Sequence, residues 1–143
     1  MYQDSLLTFS QAQAITAAAA STNYVNLGAV RNIGVGQALY VVTVVTTAFT
    51  DTGSNSTLTV DLYGDSSTTF TPDATQTMFT IAAVAAAGDV YVGRISPGMA
   101  GNYKYVELYY TPNNGDLSAG AVTSFITTDV AQYASYAKNY TIS

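Results

Sequence analysis

In TLTVDLY (Thr57–Tyr63), apolar and polar residues alternate without a break. Leu58, Val60 and Leu62 fall on one face, and Thr57, Thr59, Asp61 and Tyr63 fall on the other. A period of two marks a β-strand with one buried face. The same reading extends outward in both directions. KYVELYYT (Lys104–Thr111) sends Val106, Leu108 and Tyr110 inward and Tyr105, Glu107 and Tyr109 outward. LYVVTVVTTA (Leu39–Ala48) is apolar and β-branched on both faces, which predicts a central strand covered twice. QTMFTIAAV places Phe79, Ile81 and Ala83 on one side, DVYVGRI gives a strand near Val90–Ile95, and AVTSFITT closes the set.

Turn signals separate these runs: DTGSNS at Asp51, TPD at Pro72, AAAGD at Gly88, SPGMAGN at Pro97 and TPNNGD at Pro112. Proline fixes φ and glycine or asparagine tolerates positive φ, so all three prolines are expected in turns. With Tyr24–Leu27 and a short piece near Thr68 added, about eight strands result. The fold class read from this pattern is all-β, a single jelly-roll or Greek-key β-sandwich. The boundaries are an extended N-terminal arm with an Ala-rich hinge over 1–20, the sandwich over 21–128, and a C-terminal segment over 129–143. In that last segment Val130, Tyr133 and Ala137 recur at helical spacing behind Asp129, which predicts a short turn or tail.

The stretch SQAQAITAAAAST (Ser10–Thr22) resists the pattern. Alanine favours helix, but a short helix needs an apolar face to dock, and Ile15 is the only large apolar side chain between Gln11 and Thr22. A secretion signal needs a positively charged start, and no Lys or Arg precedes Arg31. The stretch is therefore expected to be an extended arm with an Ala-rich hinge. Met1–Phe9 ahead of it, apolar at Tyr2, Leu6, Leu7 and Phe9, is expected to lie as a strand against another subunit or its own sandwich edge and to be removable without unfolding the sandwich.

Composition excludes more than it assigns. The 143 residues contain no Cys and no His, which removes disulfides, thiolate nucleophiles and the commonest general base and metal ligand. Four basic residues face nine acidic ones, for a net charge of -5, so phosphate backbones should be repelled and no nucleic-acid partner is expected. No apolar run approaches the roughly 18 residues that span a membrane, and no membrane partner is expected. Only 9% of residues are charged, yet twelve are Tyr and five are Phe. A neutral, aromatic surface is cheap to desolvate and suits protein contact.

The motifs associated with chemistry fail on spacing. GVGQAL (Gly34–Leu39) lacks a third glycine and leads into a strand, so it reads as a glycine-kinked strand entry. DTGSNSTLTVDL has its glycine misplaced for a calcium loop and no acid at the twelfth position, so it reads as a polar hairpin. Ser96 in GRISPG misses the nucleophile-elbow spacing. Asn55 and Asn139 match glycosylation acceptors but lack a secretory context. Asp61 and Glu107 sit on the face assigned to solvent and read as solvated charges rather than a catalytic pair. No catalytic, metal or cofactor-binding residue is expected, and the chain is not expected to be an enzyme. The outward Tyr63, Tyr105 and Tyr109 are candidate interface anchors, because tyrosine brings large contact area with few rotamers.

LLTFSQAQAIT, STNYVNLG, IGVGQALYVV and YKYVELYYTPNNGDLSAGAVTSFITTDVAQYASYAKNY resemble the Bbp16-type capsid cement proteins of tailed bacteriophages. The resemblance spans nearly the whole chain. Ser10, Gln13, Ala14, Leu27, Gly28, Gly34, Gly36, Leu39, Arg94, Tyr105, Leu108, Tyr110, Gly120 and Tyr136 sit where the family pattern places such residues. It implies a jelly-roll protein made in the bacterial cytoplasm and carried on the outer surface of the capsid. There it would clamp neighbouring major capsid subunits of an HK97-like shell, as a homodimer or alternatively a trimer. Tyr2, Leu6, Leu7 and Phe9 of the arm and Tyr133 and Tyr136 of the tail then join the three outward tyrosines as expected contacts. A carbohydrate-binding sandwich and a fibre or fimbrial subunit are the rival readings. The first would use calcium or glycan, and the second would show a secretion signal.

Overall fold

The computed structural model describes residues 5–29, 38–82, 85–96 and 103–128. Among the described residues a short 3-10 turn at Ser5–Leu7 is followed by nine strands. They are β1 (Thr8–Ala14), β2 (Ala19–Ala20), β3 (Val25–Asn26), β4 (Tyr40–Thr50), β5 (Thr57–Asp65), β6 (Ala74–Ile81), β7 (Val90–Arg94), β8 (Tyr105–Asn113) and β9 (Ala119–Thr127). One sheet runs β1-β9-β4-β7 and the other β2-β8-β5-β6, with β3 also paired to β8. Every pairing is antiparallel.

β2 meets Tyr109 and Tyr110, β3 meets Tyr105 and Val106, and the Ser21 amide between them donates to the Leu108 carbonyl at 2.7 Å. The two short strands thus act as one interrupted strand along β8. Counted so, successive strands cross from sheet to sheet at every step except β5 to β6, which pair as neighbours. That order is the double Greek key of a jelly roll, as the alternation predicts.

The inward faces agree with the sequence pattern. Leu58, Val60, Leu62, Val106 and Leu108 share one core with Phe9, Ile15, Val41, Val45, Phe49 and Val122. β4 is covered twice over its first half only: Val41 and Thr43 are buried on one face and Val42 with its β9 neighbour Phe125 on the other, whereas Thr46, Thr47 and Ala48 are exposed. The core also holds a polar thread. The Tyr110 hydroxyl crosses from β8 to the opposite sheet and hydrogen-bonds Ser10 at 2.8 Å and Ser124 at 3.1 Å. Ser124 in turn meets the Thr43 hydroxyl at 2.7 Å. Burial pushes the Tyr110 phenol up to about 12, so it stays neutral. Buried hydroxyls are affordable only when partnered in this way, and the thread links three strands of one sheet to the other.

Five expectations are corrected. Residues Thr8–Ala14 are not an arm but the edge strand β1, and the sandwich begins well before residue 21. Two apolar anchors hold it there, since Phe9 and Ile15 are both fully buried. The Ala-rich stretch is no loose hinge either. The Gln13 amide donates to the Ala20 carbonyl at 2.9 Å, and its oxygen accepts from the Thr22 amide at 2.9 Å. Thr68 lies in a loop rather than a strand, because the Asp65 carboxylate accepts from the Ser67 and Thr71 amides and curls the chain around itself. The Asp51 turn is not a hairpin, since it carries the chain from β4 in one sheet to β5 in the other. Finally, Pro112 lies within β8, beyond the reach of β2, so its missing N–H leaves no ladder bond unmade. The glycine-kinked entry at Gly34–Gly36 and the turn or tail over 129–143 lie outside the described residues.

Candidate functional site

The outward face of the β5–β8 pair is the most aromatic surface among the described residues. Its geometry follows from register. Tyr63 of β5 stands opposite Glu107 of β8, Asp61 opposite Tyr109, and Asp65 opposite Tyr105. Diagonal neighbours on a sheet are within reach of aromatic rings. Tyr63 and Tyr109 accordingly stack with centroids 5.3 Å apart and planes at 13°. Tyr105 meets Tyr24, just before β3, edge to face at 5.4 Å, and Tyr24 tilts against Phe70 at 6.4 Å. Phe70 is carried by the loop that Asp65 holds, and those amide hydrogen bonds keep the Asp65 carboxyl below its ordinary value. The Lys104 ammonium lies 5.4 Å from the centroid of the Tyr105 ring.

The candidate interface residues are distributed unevenly. Tyr63, Tyr105 and Tyr109 share this face and are half-buried. Leu6 is 79% exposed, and Leu7 is half-buried against the core. Phe9 is a core residue with no exposed surface, so it is withdrawn as a contact. Tyr2, Tyr133 and Tyr136 lie outside the described residues. Sequence reading missed Tyr24, which is 47% exposed, and Phe70. An aromatic residue inside the polar run SSTTFTPD was the available signal for Phe70.

Glu107 overturns its expected state. It does point to the outward face, with Tyr63 opposite it across the strands, but only 9% of it is exposed. Desolvation, with the like charge of Asp65 second, pushes its carboxyl up to about 7. Asp61, by contrast, accepts from the Thr77 hydroxyl at 2.7 Å. In the unfolded chain Glu107 titrates near its ordinary 4.5, so between that value and about 7 the folded state binds more protons. Stability therefore falls as pH rises through this window, and the full cost is present above it. Glu107→Gln is expected to raise the urea midpoint at pH 8 and to leave it nearly unchanged at pH 5. A loss of stability at pH 8 would show that the carboxylate has a partner in the fold.

The Asp51 carboxylate is structural as well. Asp51 accepts from the Asn55 and Ser56 amides at 3.1 Å each, which lowers its carboxyl pKa and fixes the turn between the sheets. Among the described residues no group of three acidic side chains is placed to hold a metal ion.

A comparison with curated proteins found no match. A family model does match, that of Bbp16, over residues 9–126. That span runs from the inward Phe9 of β1 to Ile126 of β9 and so takes in all the described strands but for the first residue of β1 and the last of β9. The chain belongs to the phage-associated Bbp16 family, and its match and β-rich fold fit a phage structural protein.

Proposed function

We propose that the protein is a capsid cement, or decoration, protein. It binds the outer surface of an icosahedral phage head and clamps neighbouring major capsid subunits of an HK97-like shell against the pressure of packaged DNA. The observation that carries this reading is the Bbp16 family match over residues 9–126. Two physical features support it. A net charge of -5 suits an outer surface better than a DNA-lined interior. The tyrosine band of β5 and β8 supplies rigid contact area on a sheet face. No catalytic role and no cofactor belong to this reading.

A protein that binds only the assembled lattice stabilises it by mass action. If it acts as a homodimer, two linked contacts raise the effective concentration of each, so modest single-site affinity gives firm attachment. The test is to add the purified protein to heads lacking it, then measure co-sedimentation and the temperature of rupture. The expected outcome is saturable binding to assembled heads, little binding to free capsid subunits, and a higher rupture temperature. Equal binding to free subunits, or saturated heads that rupture no later than bare ones, would overturn the clamp.

A further inference from the structure

We infer that the outward face of β5 and β8 is a docking surface for a basic segment of a partner protein, and that Glu107 is the point that takes an arginine side chain of that partner. It rests on the cement reading only for who supplies the arginine; the contact chemistry belongs to this chain alone.

Of the three carboxylates on this face, two are satisfied internally. Asp61 accepts from Thr77, and Asp65 accepts from the Ser67 and Thr71 amides. Glu107 is more than nine-tenths buried, and no described residue donates a hydrogen bond to its carboxylate. A buried carboxylate without a partner is costly, and a charged partner removes that cost. The surroundings select the partner. Tyr63 faces Glu107 across the strands and stacks on Tyr109. Tyr105 and Tyr109 stand to either side of it along β8, each roughly 7 Å away by strand geometry. A planar guanidinium stacks on aromatic faces and bonds a carboxylate through two parallel N–H groups, which a compact ammonium cannot do. The face already holds one cation, since the Lys104 ammonium rests over Tyr105.

The charged and titratable groups around Glu107 are Asp61, Tyr63 and Asp65 from β5, Lys104, Tyr105 and Tyr109 from β8 and its approach, and Tyr24 beside β3. The carboxyl, held up at about 7 by burial and then by Asp65, gives up its proton when a guanidinium arrives. Affinity for arginine is therefore full above about pH 7 and falls as pH drops below it, roughly ten-fold or more by pH 5.5.

The test titrates acetyl-Gly-Arg-Gly-amide, and the same peptide with neutral citrulline, into the isotope-labelled full chain at pH 8 and pH 5.5. The side-chain carboxyl and tyrosine ring resonances are followed by NMR. The expected result is a saturable shift centred on Glu107, Tyr63 and Tyr109 with the arginine peptide at pH 8. It weakens at pH 5.5, is absent with citrulline and is lost in Glu107→Gln. Shifts spread alike over Asp51, Asp89 and Asp116, or an unchanged response in Glu107→Gln, would overturn the site. Wild-type protein that decorates heads but shows no such shift sinks the arginine site and spares the cement reading. A clear shift without head binding does the reverse.

Discussion

Replacing Phe9 with Ala is expected to destabilise the isolated protein by about 3–5 kcal/mol, the usual range for a buried Phe reduced to Ala. The side chain has no exposed surface and lies in the main core with Ile15, Val41 and Val122. Among the described residues its strand pairs with β9 alone, β1 being the edge of that sheet. The Phe9 carbonyl also accepts from the Asn23 amide at 2.9 Å, so moving Phe9 disturbs the approach to β3. Small domains hold roughly 5–15 kcal/mol in total, and the variant should lose a large share of it. Leu6→Ala, three residues away and 79% exposed, is the matched control, with an expected change within about 0.5 kcal/mol. Urea denaturation of both variants decides the matter. Similar small losses for both would mean that β1 is undocked in solution and that the first residues do act as a reaching arm. The expected contrast instead predicts that deletion through Phe9 unfolds the protein, with Leu6 an exposed residue of the segment ahead of β1.

The strands that were legible in the sequence are those whose burial alternates locally. Leu58, Val60 and Leu62 declare their face without help from the rest of the chain, and so do Val106, Leu108 and Tyr110. β1 was not legible, for two physical reasons. Its register shifts on either side of Ser10, and Ala12 adopts φ 48°, so the period of two is broken. Its polar Ser10 and Gln13 also look like loop residues until the Tyr110 hydroxyl arrives from distant sequence for the first and the Ala20 carbonyl folds back on the second. Thr68 failed in the opposite sense. A Ser/Thr-rich run has strand propensity, yet one carboxylate, Asp65, captures its amides first. At the candidate site, alternation gave the correct face for Glu107 and the wrong exposure. Which rings surround it depends on Tyr63 being its cross-strand partner, and register is not written in either strand alone.

Gly120→Ala should be the other severe substitution, because two independent costs meet at one position. The residue sits in β9 with φ 145°, a region that is nearly confined to glycine. A Cβ there would also run into the ring of Phe49, at the end of β4 where that strand pairs with β9. Phe49 is only 3% exposed and has no open space into which to swing. The site cannot relax on its other side, since the Gly120 carbonyl accepts from the Ile15 amide at 3.0 Å and so ties β9 to the exit of β1. Backbone strain of about 1–3 kcal/mol and overpacking of about 1–3 kcal/mol give an expected loss of roughly 2–6 kcal/mol. Gly115→Ala separates the two terms, because Gly115 has φ 102° but nothing within 4 Å of its added Cβ. That variant should show the backbone cost alone, about 1–3 kcal/mol. The overpacking share can be isolated by pairing Gly120→Ala with Phe49→Ala, which deletes the ring. The double variant should then cost less than the sum of the two singles, with a coupling of about 1 kcal/mol or more. Strict additivity would mean that the ring and the missing Cβ do not compete for space. The intolerance of Gly120 would then rest on backbone conformation alone.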